Sequence, residues 1–241
     1  MKLKVIHSNS AGNCYILEAT NGEKLMIDCG VHIDKIKKAL GFDYRHVNVI
    51  VTHSHNDHAK SLEALLKAGI SVYASFATHE ATGTDTHHRA HYFLPGVSVQ
   101  IGDFKVKPFS VNHDVPTLGF LIFHPESGLT LFLTDTFFCD YTFPRLNNII
   151  VECNHEMGLV KNNGTPTFLS DRIIQSHMNL DTCKKLLMAN NLTQVNNIVL
   201  IHLSDRNSDA KYFKQIIIEL IGKNVSVVEF GLVIDFNKTV I

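Results

Sequence analysis

The chain has 241 residues, of which 45% are hydrophobic, and its 22 basic and 23 acidic residues give a formal net charge of −1. This composition excludes a disordered chain, and the near-zero charge excludes binding of nucleic acid or membranes through a long basic arm. The sequence has no apolar signal core at its start and no run of the roughly 18 apolar residues that a membrane span needs. We therefore expect a cytoplasmic protein with no membrane partner.

Cysteine and histidine are the two informative residue types. The five cysteines lie far apart with no C-x-x-C pair, which predicts buried thiols in place of a disulfide framework or a thiolate zinc site. Histidine occurs fifteen times, whereas average composition predicts about five or six in a chain of this length. This excess is the first indication of function. The Trp-free composition, rich in Asn and Ile, favours a bacterial or phage gene of high A·T content.

The first half of the chain alternates short apolar runs with Gly, Asn and Ser turns, a pattern typical of strands with a few helices between them. Its predicted elements, in chain order, are strands Lys2–His7, Cys14–Ala19 and Lys24–Asp28, helix Asp34–Leu40, strand Val47–Thr52, helix Ser61–Ala68, strand Ser71–Ala74, and a short helix with a loop within Thr78–His91. Strand Val47–Thr52 is almost entirely apolar, which predicts a buried strand that leads directly into His53.

The second half begins with several strands in succession and ends with strands and helices in alternation. Its predicted elements are strands Val97–Ile101, Phe104–Val111, Gly119–His124, Thr130–Thr134 and Asn148–Glu152, helix Asp181–Asn190, strand Asn197–His202, helix Asp209–Ile221 and strand Val225–Glu229. Two sheet-forming halves with helices predict an α/β fold, an αββα sandwich of two mixed β-sheets flanked by helices. Residues 1–241 are expected to form a single domain.

A dense group of metal-ligand residue types directly follows the buried strand, in the segment THSHNDH at residues 52–58. His53 and His55 alternate along the emerging chain, so both can face one metal ion. Asp57 and His58 begin the next turn and can face a second ion. The spacing H-x-H-x-D-H therefore predicts a site for two metals. The alternative is a polar helix N-terminus, with Asp57 as its cap and the histidines in solvent.

This motif after a buried strand resembles that of the metallo-β-lactamase fold superfamily. The resemblance implies three further ligands, each at the end of a strand, and the sequence offers His113, Asp135 and His202 at such positions. By the family pattern, one metal takes His53, His55 and His113, the other takes Asp57, His58 and His202, and Asp135 bridges the two. It implies two divalent ions, zinc or manganese, as cofactors.

Three further segments resemble the YycJ/WalJ-like branch of this superfamily, namely SNSAGNC at 8–14, LMIDCG at 25–30 and HLS at 202–204. In the first, Ser10, Gly12 and Asn13 form a candidate substrate loop, because a tight turn there brings backbone N–H groups towards the metals or a phosphate. In the second, Asp28 is expected to accept a hydrogen bond and orient a metal-bound imidazole. The alternatives are a plain β-turn for the loop and a strand-end cap for Asp28.

The segment SHMNLD at 176–181 resembles a G-H-L-S-like turn of the same branch. The resemblance implies that His177 belongs to the site, as a further ligand of the second metal or as a general acid for the leaving oxygen. Asp57 and His177 are the side chains expected to take part in catalysis. The segment departs from the branch at Ser176, where Gly is usual, and at 178–179, where Leu-Ser is usual. A histidine before a helix with no function is the alternative.

Two metals bridged by Asp135 and a water would acidify that water, so the expected chemistry is hydrolysis by a metal-bridging hydroxide. The sequence has no nucleotide-binding glycine motif and no nucleophile elbow, so a side-chain nucleophile is not expected. The YycJ/WalJ-like resemblance implies a phosphodiesterase, most specifically a DNA exonuclease that degrades its substrate from 5′ to 3′, with DNA as the partner. One alternative is a hydrolase of small esters, thioesters or lactams with the same fold. The other is a metal-binding protein without catalysis.

Overall fold

Two seven-stranded mixed sheets form the framework of the computed structural model, which describes residues 1–162 and 167–239. The first sheet contains β1 (Lys2–Asn9), β2 (Gly12–Glu18), β3 (Lys24–Ile27), β4 (Val47–Ile50), β5 (Ser71–Ala74), β6 (Ala90–Tyr92) and β14 (Val233–Asp235), in the order β14-β1-β2-β3-β4-β5-β6. The second contains β7 (Val99–Ile101), β8 (Phe104–Val111), β9 (Thr117–His124), β10 (Gly128–Leu133), β11 (Asn148–Glu152), β12 (Asn197–Ile201) and β13 (Val225–Val227), in the order β13-β12-β11-β10-β9-β8-β7.

Helices cover the outer faces of both sheets, which confirms the αββα sandwich. They are α1 (Ile33–Ala39), α2 (Asn56–Ala59), α3 (Leu62–Lys67), α4 (Phe76–Ala81), α5 (Met157–Asn162), α6 (Thr167–Ser176), α7 (Leu180–Ala189) and α8 (Ala210–Ile221). Local sequence sets the ends of the longer ones. The Asp209 carboxylate accepts from the Tyr212 N–H at the start of α8, and Gly222 ends that helix in the left-handed conformation. Within the described residues no helix has the length and apolarity to cross a membrane.

Three hydrophobic clusters hold the layers together. One lies between the two sheets and includes large buried rings such as Tyr15, Phe120 and Phe132. The second packs the outer face of β10–β13 against α7 and α8, and the third packs the outer face of β3–β5 against α1 and α3. Because each sheet is covered on both faces, its central strands are buried along their whole length and apolar in their middle, as in β11 and β12.

Strand direction determines where the functional residues meet. Strands β3 to β6 are parallel to one another, and so are β10 to β13. The carboxyl ends of parallel strands lie at one edge of a sheet, where loops can gather side chains from several strands. Strand β2 is antiparallel to β3, so β2 begins beside the carboxyl end of β3. The hairpin turn between β1 and β2 therefore lies at the same end of the sheet as the carboxyl ends of the parallel strands.

Some elements are absent from the sequence prediction. They are the helices α2, α5 and α6 and the strands β6 and β14. Helix α2 has four residues and β6 and β14 have three each, too few to show a periodic pattern. The spacing of four residues between Leu169 and Ile173 was the available sequence signal for α6. Helix α4 begins at Phe76, two residues before the segment predicted to contain it.

Two glycines are required by close backbone contacts at the end of the first sheet where the carboxyl ends of its parallel strands lie. A Cβ atom on Gly30 would lie 1.7 Å from the carbonyl oxygen of Asp57, and one on Gly12 would lie 2.6 Å from the carbonyl oxygen of Gly30. Neither glycine has a positive φ. The sequence interpretation of Gly12 as a turn residue is therefore corrected: the turn precedes it, and Gly12 is needed so that β2 can pack against Gly30.

We expect Gly30→Ala to lower the free energy of unfolding by about 1–3 kcal/mol or more, because the backbone of α2 would have to move away. The measurement is urea unfolding followed by circular dichroism. Gly158→Ala is the matched control, since the nearest contact of its Cβ would be the flexible side chain of Glu156, at 3.0 Å. Equal stability of the two variants would contradict the packing requirement at Gly30.

Candidate metal centre

All seven predicted ligands lie at the carboxyl ends of strands, each on the segment that follows a strand. His53 and His55 follow β4, and Asp57 and His58 lie on α2. The other three, His113, Asp135 and His202, follow β8, β10 and β12. The structure gathers them into two groups, in which one nitrogen or oxygen of each residue lies within 4.8 Å of the others: His53, His55 and His113, and Asp57, His58, Asp135 and His202.

Asp135 is buried and lies in contact with both groups. Its Oδ2 is 2.6 Å from His58 Nε2 and 3.4 Å from His53 Nε2, and its Oδ1 is 2.7 Å from His202 Nδ1. The Nε2 atoms of His53 and His202 are buried with no hydrogen-bond partner among the described residues. A buried nitrogen without a partner is costly, so these atoms fit a site whose donors are directed at metal ions.

The pKa shifts show that Asp135 and two of the histidines around it stabilise one another's charged forms. Burial opposes ionisation of Asp135, yet His202 and His58 hold the pKa of this carboxyl well below its usual value. Burial likewise opposes charging of His58, but the Asp135 and Asp28 carboxylates raise its pKa well above the usual range. His202 behaves in the same way, and its pKa rises to about 9. Carboxylates that stabilise protons on their neighbours also stabilise divalent cations in the same place.

His53 differs from these histidines. Burial, followed by the nearby His58, lowers the pKa of His53 well below its usual value. Its ring is therefore neutral, which is the form that binds a metal. The donor set as a whole, with imidazole nitrogens and carboxylate oxygens and no thiolates, fits zinc or manganese.

Asp28 holds His58 in one orientation. The Asp28 carboxylate accepts hydrogen bonds from the Thr52 N–H at 2.8 Å and the Thr52 hydroxyl at 3.0 Å, and its Oδ2 is 2.7 Å from His58 Nδ1. In the neutral, metal-binding form of His58, this contact keeps the proton on Nδ1 and the lone pair on Nε2, which faces Asp57 and Asp135. The sequence analysis expected Asp28 to orient the imidazole of a metal ligand, and Asp28 does contact the imidazole of the predicted ligand His58.

The candidate substrate loop divides into exposed and buried parts. Ser10 lines the cleft over the centre, whereas Asn13 is fully buried. The Asn13 amide lies 3.0 Å from His58 Nε2, and its Oδ1 accepts from the Tyr15 hydroxyl at 3.1 Å. Of the three predicted loop residues, Ser10 is therefore the one placed to meet a substrate, while Asn13 supports the histidine.

Three site residues have a strained backbone conformation. Asp28, Asp135 and His202 have φ values of 60°, 48° and 54°, in the left-handed region that residues with a Cβ rarely adopt. Such a residue costs on the order of 1–3 kcal/mol and persists where the surroundings fix it. Each follows a strand directly or by one residue, so the turn directs its side chain into the centre instead of along the sheet.

Sequence reasoning missed Glu152, the last residue of β11. Its buried carboxylate Oε1 is 2.8 Å from His177 Nδ1 and 2.9 Å from His202 Nδ1, and its Oε2 accepts from the Met178 N–H. His177 lies in the turn between α6 and α7, 3.3 Å from Asp135. Glu152, His177, Asp135 and His202 form a third group of potential metal donors. The sequence signal that could have revealed Glu152 was its position at the end of β11, a strand that lies between two strands followed by ligands.

Asp114 and Arg172 were also missed, and both lie at the mouth of the centre. Asp114 Oδ1 is 3.0 Å from His113 Nε2 and 3.4 Å from His55 Nε2, and its Oδ2 is 3.8 Å from the Arg172 guanidinium. Two connected clefts open here. The inner cleft, about 390 Å³, is lined by residues that include Asp57, Asp135, His177 and Arg172, and the outer cleft, about 880 Å³, is reached past His113 and Arg172.

The sequence of this chain matches a known family. The model of the metallo-beta-lactamase superfamily matches residues 8–138, which is more than half of the chain. The chain belongs to the metallo-β-lactamase superfamily.

Two relatives narrow this assignment. The chain is 30% identical over 230 residues to exodeoxyribonuclease YycJ of Bacillus anthracis, a match that covers 86% of this chain and 84% of the relative. It is 26% identical over 227 residues to exodeoxyribonuclease WalJ of Streptococcus pneumoniae, with 86% and 83% covered. The YycJ/WalJ-like resemblance is thereby confirmed, and the protein is a metal-dependent hydrolase of this superfamily.

Solved structures agree on the fold. The metallo-beta-lactamase fold protein YhfI from Bacillus subtilis is similar over 96% of this chain and 98% of its own, with a TM-score of 0.72 and 18% sequence identity. At this identity the likeness supports the architecture and carries no information about the substrate.

We expect Thr52→Val to lower the free energy of unfolding by about 1–3 kcal/mol, because it removes a hydroxyl that donates to the buried Asp28 carboxylate. Thr130→Val is the matched control. The Thr130 hydroxyl is also buried but has no hydrogen-bond partner in the described parts of the chain, so its loss should be neutral or stabilising. Chemical denaturation of both variants measures the difference, and equal effects would show that the Thr52–Asp28 bond contributes little.

Proposed function

We propose that this metallo-β-lactamase-fold protein is a dinuclear phosphodiesterase that degrades DNA, acting as an exonuclease from 5′ to 3′. The observation that carries the proposal is the position of Asp135, which contacts histidines of both donor groups. The names of the two relatives, both exodeoxyribonucleases, support the choice of substrate.

In this proposal the two donor groups hold two divalent ions. His53, His55 and His113 would hold one, Asp57, His58 and His202 the other, and Asp135 would serve both. When bound, the ions would acidify a water molecule to give the nucleophile and would neutralise charge on the phosphate. Asp28, acting through His58, is proposed as a positioning residue, because it fixes which nitrogen of that ring carries the proton.

His177 is proposed as the general acid for the leaving oxygen. Glu152 accepts a hydrogen bond from His177 Nδ1 and, together with Asp135, raises the pKa of this histidine to about 10 although burial opposes it. The ring therefore holds a proton that it can donate, and Glu152 fixes its orientation. Asp57 borders the same cleft, where its carboxylate can hold the second ion and orient the nucleophile.

The lining of the clefts favours a phosphodiester over a small neutral ester or lactam. A small-molecule hydrolase would favour a closed apolar pocket, whereas the inner cleft is lined by ionisable side chains that include Arg172. An apolar cleft does exist, bordered by Phe109, Tyr141 and Phe143, but it shares no lining residue with the centre. Arg172 can pair with a phosphate, a role that a lactam or thioester does not require.

The direct experiment is hydrolysis of 5′-phosphorylated DNA with zinc or manganese, combined with a metal count per chain. We expect salt-sensitive release of mononucleotides, two ions per chain, and loss of activity on chelation. His58→Ala should lower the rate at least about 100-fold and reduce the metal count, because the second site loses a ligand. His88→Ala, in an exposed loop, is the matched control and should keep full activity.

Two outcomes would contradict the proposal. A wild-type protein with both sites filled that releases no nucleotide from any DNA would overturn the nuclease function. If such a protein hydrolysed small esters instead, the alternative enzyme class would be supported.

The role of His177 has its own test, in which His177→Asn and Glu152→Gln are compared on two substrates. A general acid matters most for a poor leaving group, so we expect a 10²- to 10⁴-fold lower kcat on DNA and a small change on bis(4-nitrophenyl) phosphate. The metal content should remain at the wild-type value. Loss of an ion together with equal loss on both substrates would identify His177 as a ligand instead.

A further inference from the structure

The outer cleft is continuous with the metal centre. His113, Arg172 and Ser176 line both clefts, so a chain-like substrate that extends past His113 enters the outer one. The remaining walls of the outer cleft come from Asn112, Asp114, Phe137 and Gln175. A phosphodiesterase has to accommodate the nucleotides on either side of the bond it cleaves, and this cleft is space of that kind next to the proposed scissile site.

Phe137 gives the outer cleft a flat apolar wall. The side chain is 44% exposed although it lies among polar neighbours. The backbone next to it is anchored, because the Thr136 N–H donates to Glu152 and the Thr136 hydroxyl donates to the carbonyl oxygen of Phe138. An exposed ring two residues after Asp135 is a surface on which another planar group can stack.

Arg172 supplies positive charge at the boundary of the two clefts. Its side chain is 68% exposed, and its guanidinium lies 3.8 Å from Asp114 Oδ2, beyond hydrogen-bond length. This guanidinium borders both clefts, in a chain whose net charge is −1. A guanidinium in such a position can pair with a phosphate while an adjacent base lies further along the cleft.

We propose that the outer cleft binds one unpaired nucleotide of a single DNA strand, with its base stacked on Phe137 and its phosphate paired with Arg172. The inference rests on the proposed nuclease function and adds a substrate subsite to it. Stacking on an aromatic side chain uses the face of a base, which a duplex hides, so the strand in the cleft is single or frayed. Every base has such a face, so the subsite does not select sequence.

The neighbouring residue provides a matched control. Phe138 is 42% exposed, close to the value for Phe137, but it does not line the outer cleft. Phe137→Leu and Phe138→Leu therefore make the same chemical change on adjacent residues. Phe137→Trp is the conservative variant, since it keeps an aromatic surface for stacking.

The test compares KM for a single-stranded oligonucleotide among these variants, with and without an abasic residue next to the scissile phosphate. We expect Phe137→Leu to raise KM about 5- to 150-fold, the range that corresponds to one stacked base. Phe137→Trp and Phe138→Leu should remain near wild type. The abasic residue should weaken wild type by a similar factor and leave Phe137→Leu unchanged, because the same contact is removed from either side.

Arg172→Gln provides a second readout. For a single strand, the loss of one phosphate contact should make the slope of log affinity against log salt about 0.7 less steep. Binding is measured by fluorescence anisotropy with phosphorothioate-linked oligonucleotides on the metal-loaded protein. An unchanged slope would remove Arg172 from the subsite.

Failure of this inference can be distinguished from failure of the proposed function. If wild type cleaves DNA while Phe137→Leu and Phe138→Leu have the same KM, the stacking subsite is wrong and the nuclease function stands. If wild type cleaves no DNA, the nuclease function is wrong, and the anisotropy measurement decides about the subsite. A weaker binding of DNA by Phe137→Leu than by wild type would then support the subsite. Equal binding by the two proteins would overturn it.

Discussion

The buried carboxylate of Asp135 is the constraint on which the rest of the candidate metal centre depends. An ionised carboxylate in the interior is stable only if positive charge or hydrogen-bond donors surround it. Here His58 and His202 fill that role from two different sheets, at 2.6 and 2.7 Å. The sandwich therefore places its two parallel strand groups so that both carboxyl ends face this one group. Divalent ions at the donor groups would balance the charge more completely than protons on histidines do.

The local backbone is adapted to this arrangement at a cost in stability. Asp28, Asp135 and His202 all adopt positive φ, and Gly30 has to lack a Cβ so that α2 can come close. Each feature is unfavourable in isolation, and together they fix the positions of donors that would otherwise point along the strands. The core below supplies the compensation, since β11 and β12 are wholly buried between apolar layers. A rigid scaffold with a strained edge is a suitable base for a preorganised centre.

The sequence was most informative where the ligands are local. H-x-H-x-D-H lies within six residues after an apolar strand, so its grouping could be inferred from spacing, and the strand-end positions of His113, Asp135 and His202 followed from the family pattern. Glu152 and Arg172 could not be inferred in this way. Glu152 reaches His177 because β11 ends beside the turn between α6 and α7, a contact between residues 25 positions apart. Arg172 lies on α6, a helix that the sequence prediction did not contain.

The near-zero net charge has a consequence for how a nucleic acid would be bound. A protein with net charge −1 has no overall field to attract a polyanion, and the carboxylates at the centre would repel one. Affinity for DNA would then have to come from cations placed locally, such as the proposed metals and Arg172. The metals would thus contribute to binding as well as to chemistry, and the apolar surface of Phe137 would add an interaction that salt does not screen. Under the proposed function, such a site would act on DNA through a few contacts near the cleaved bond.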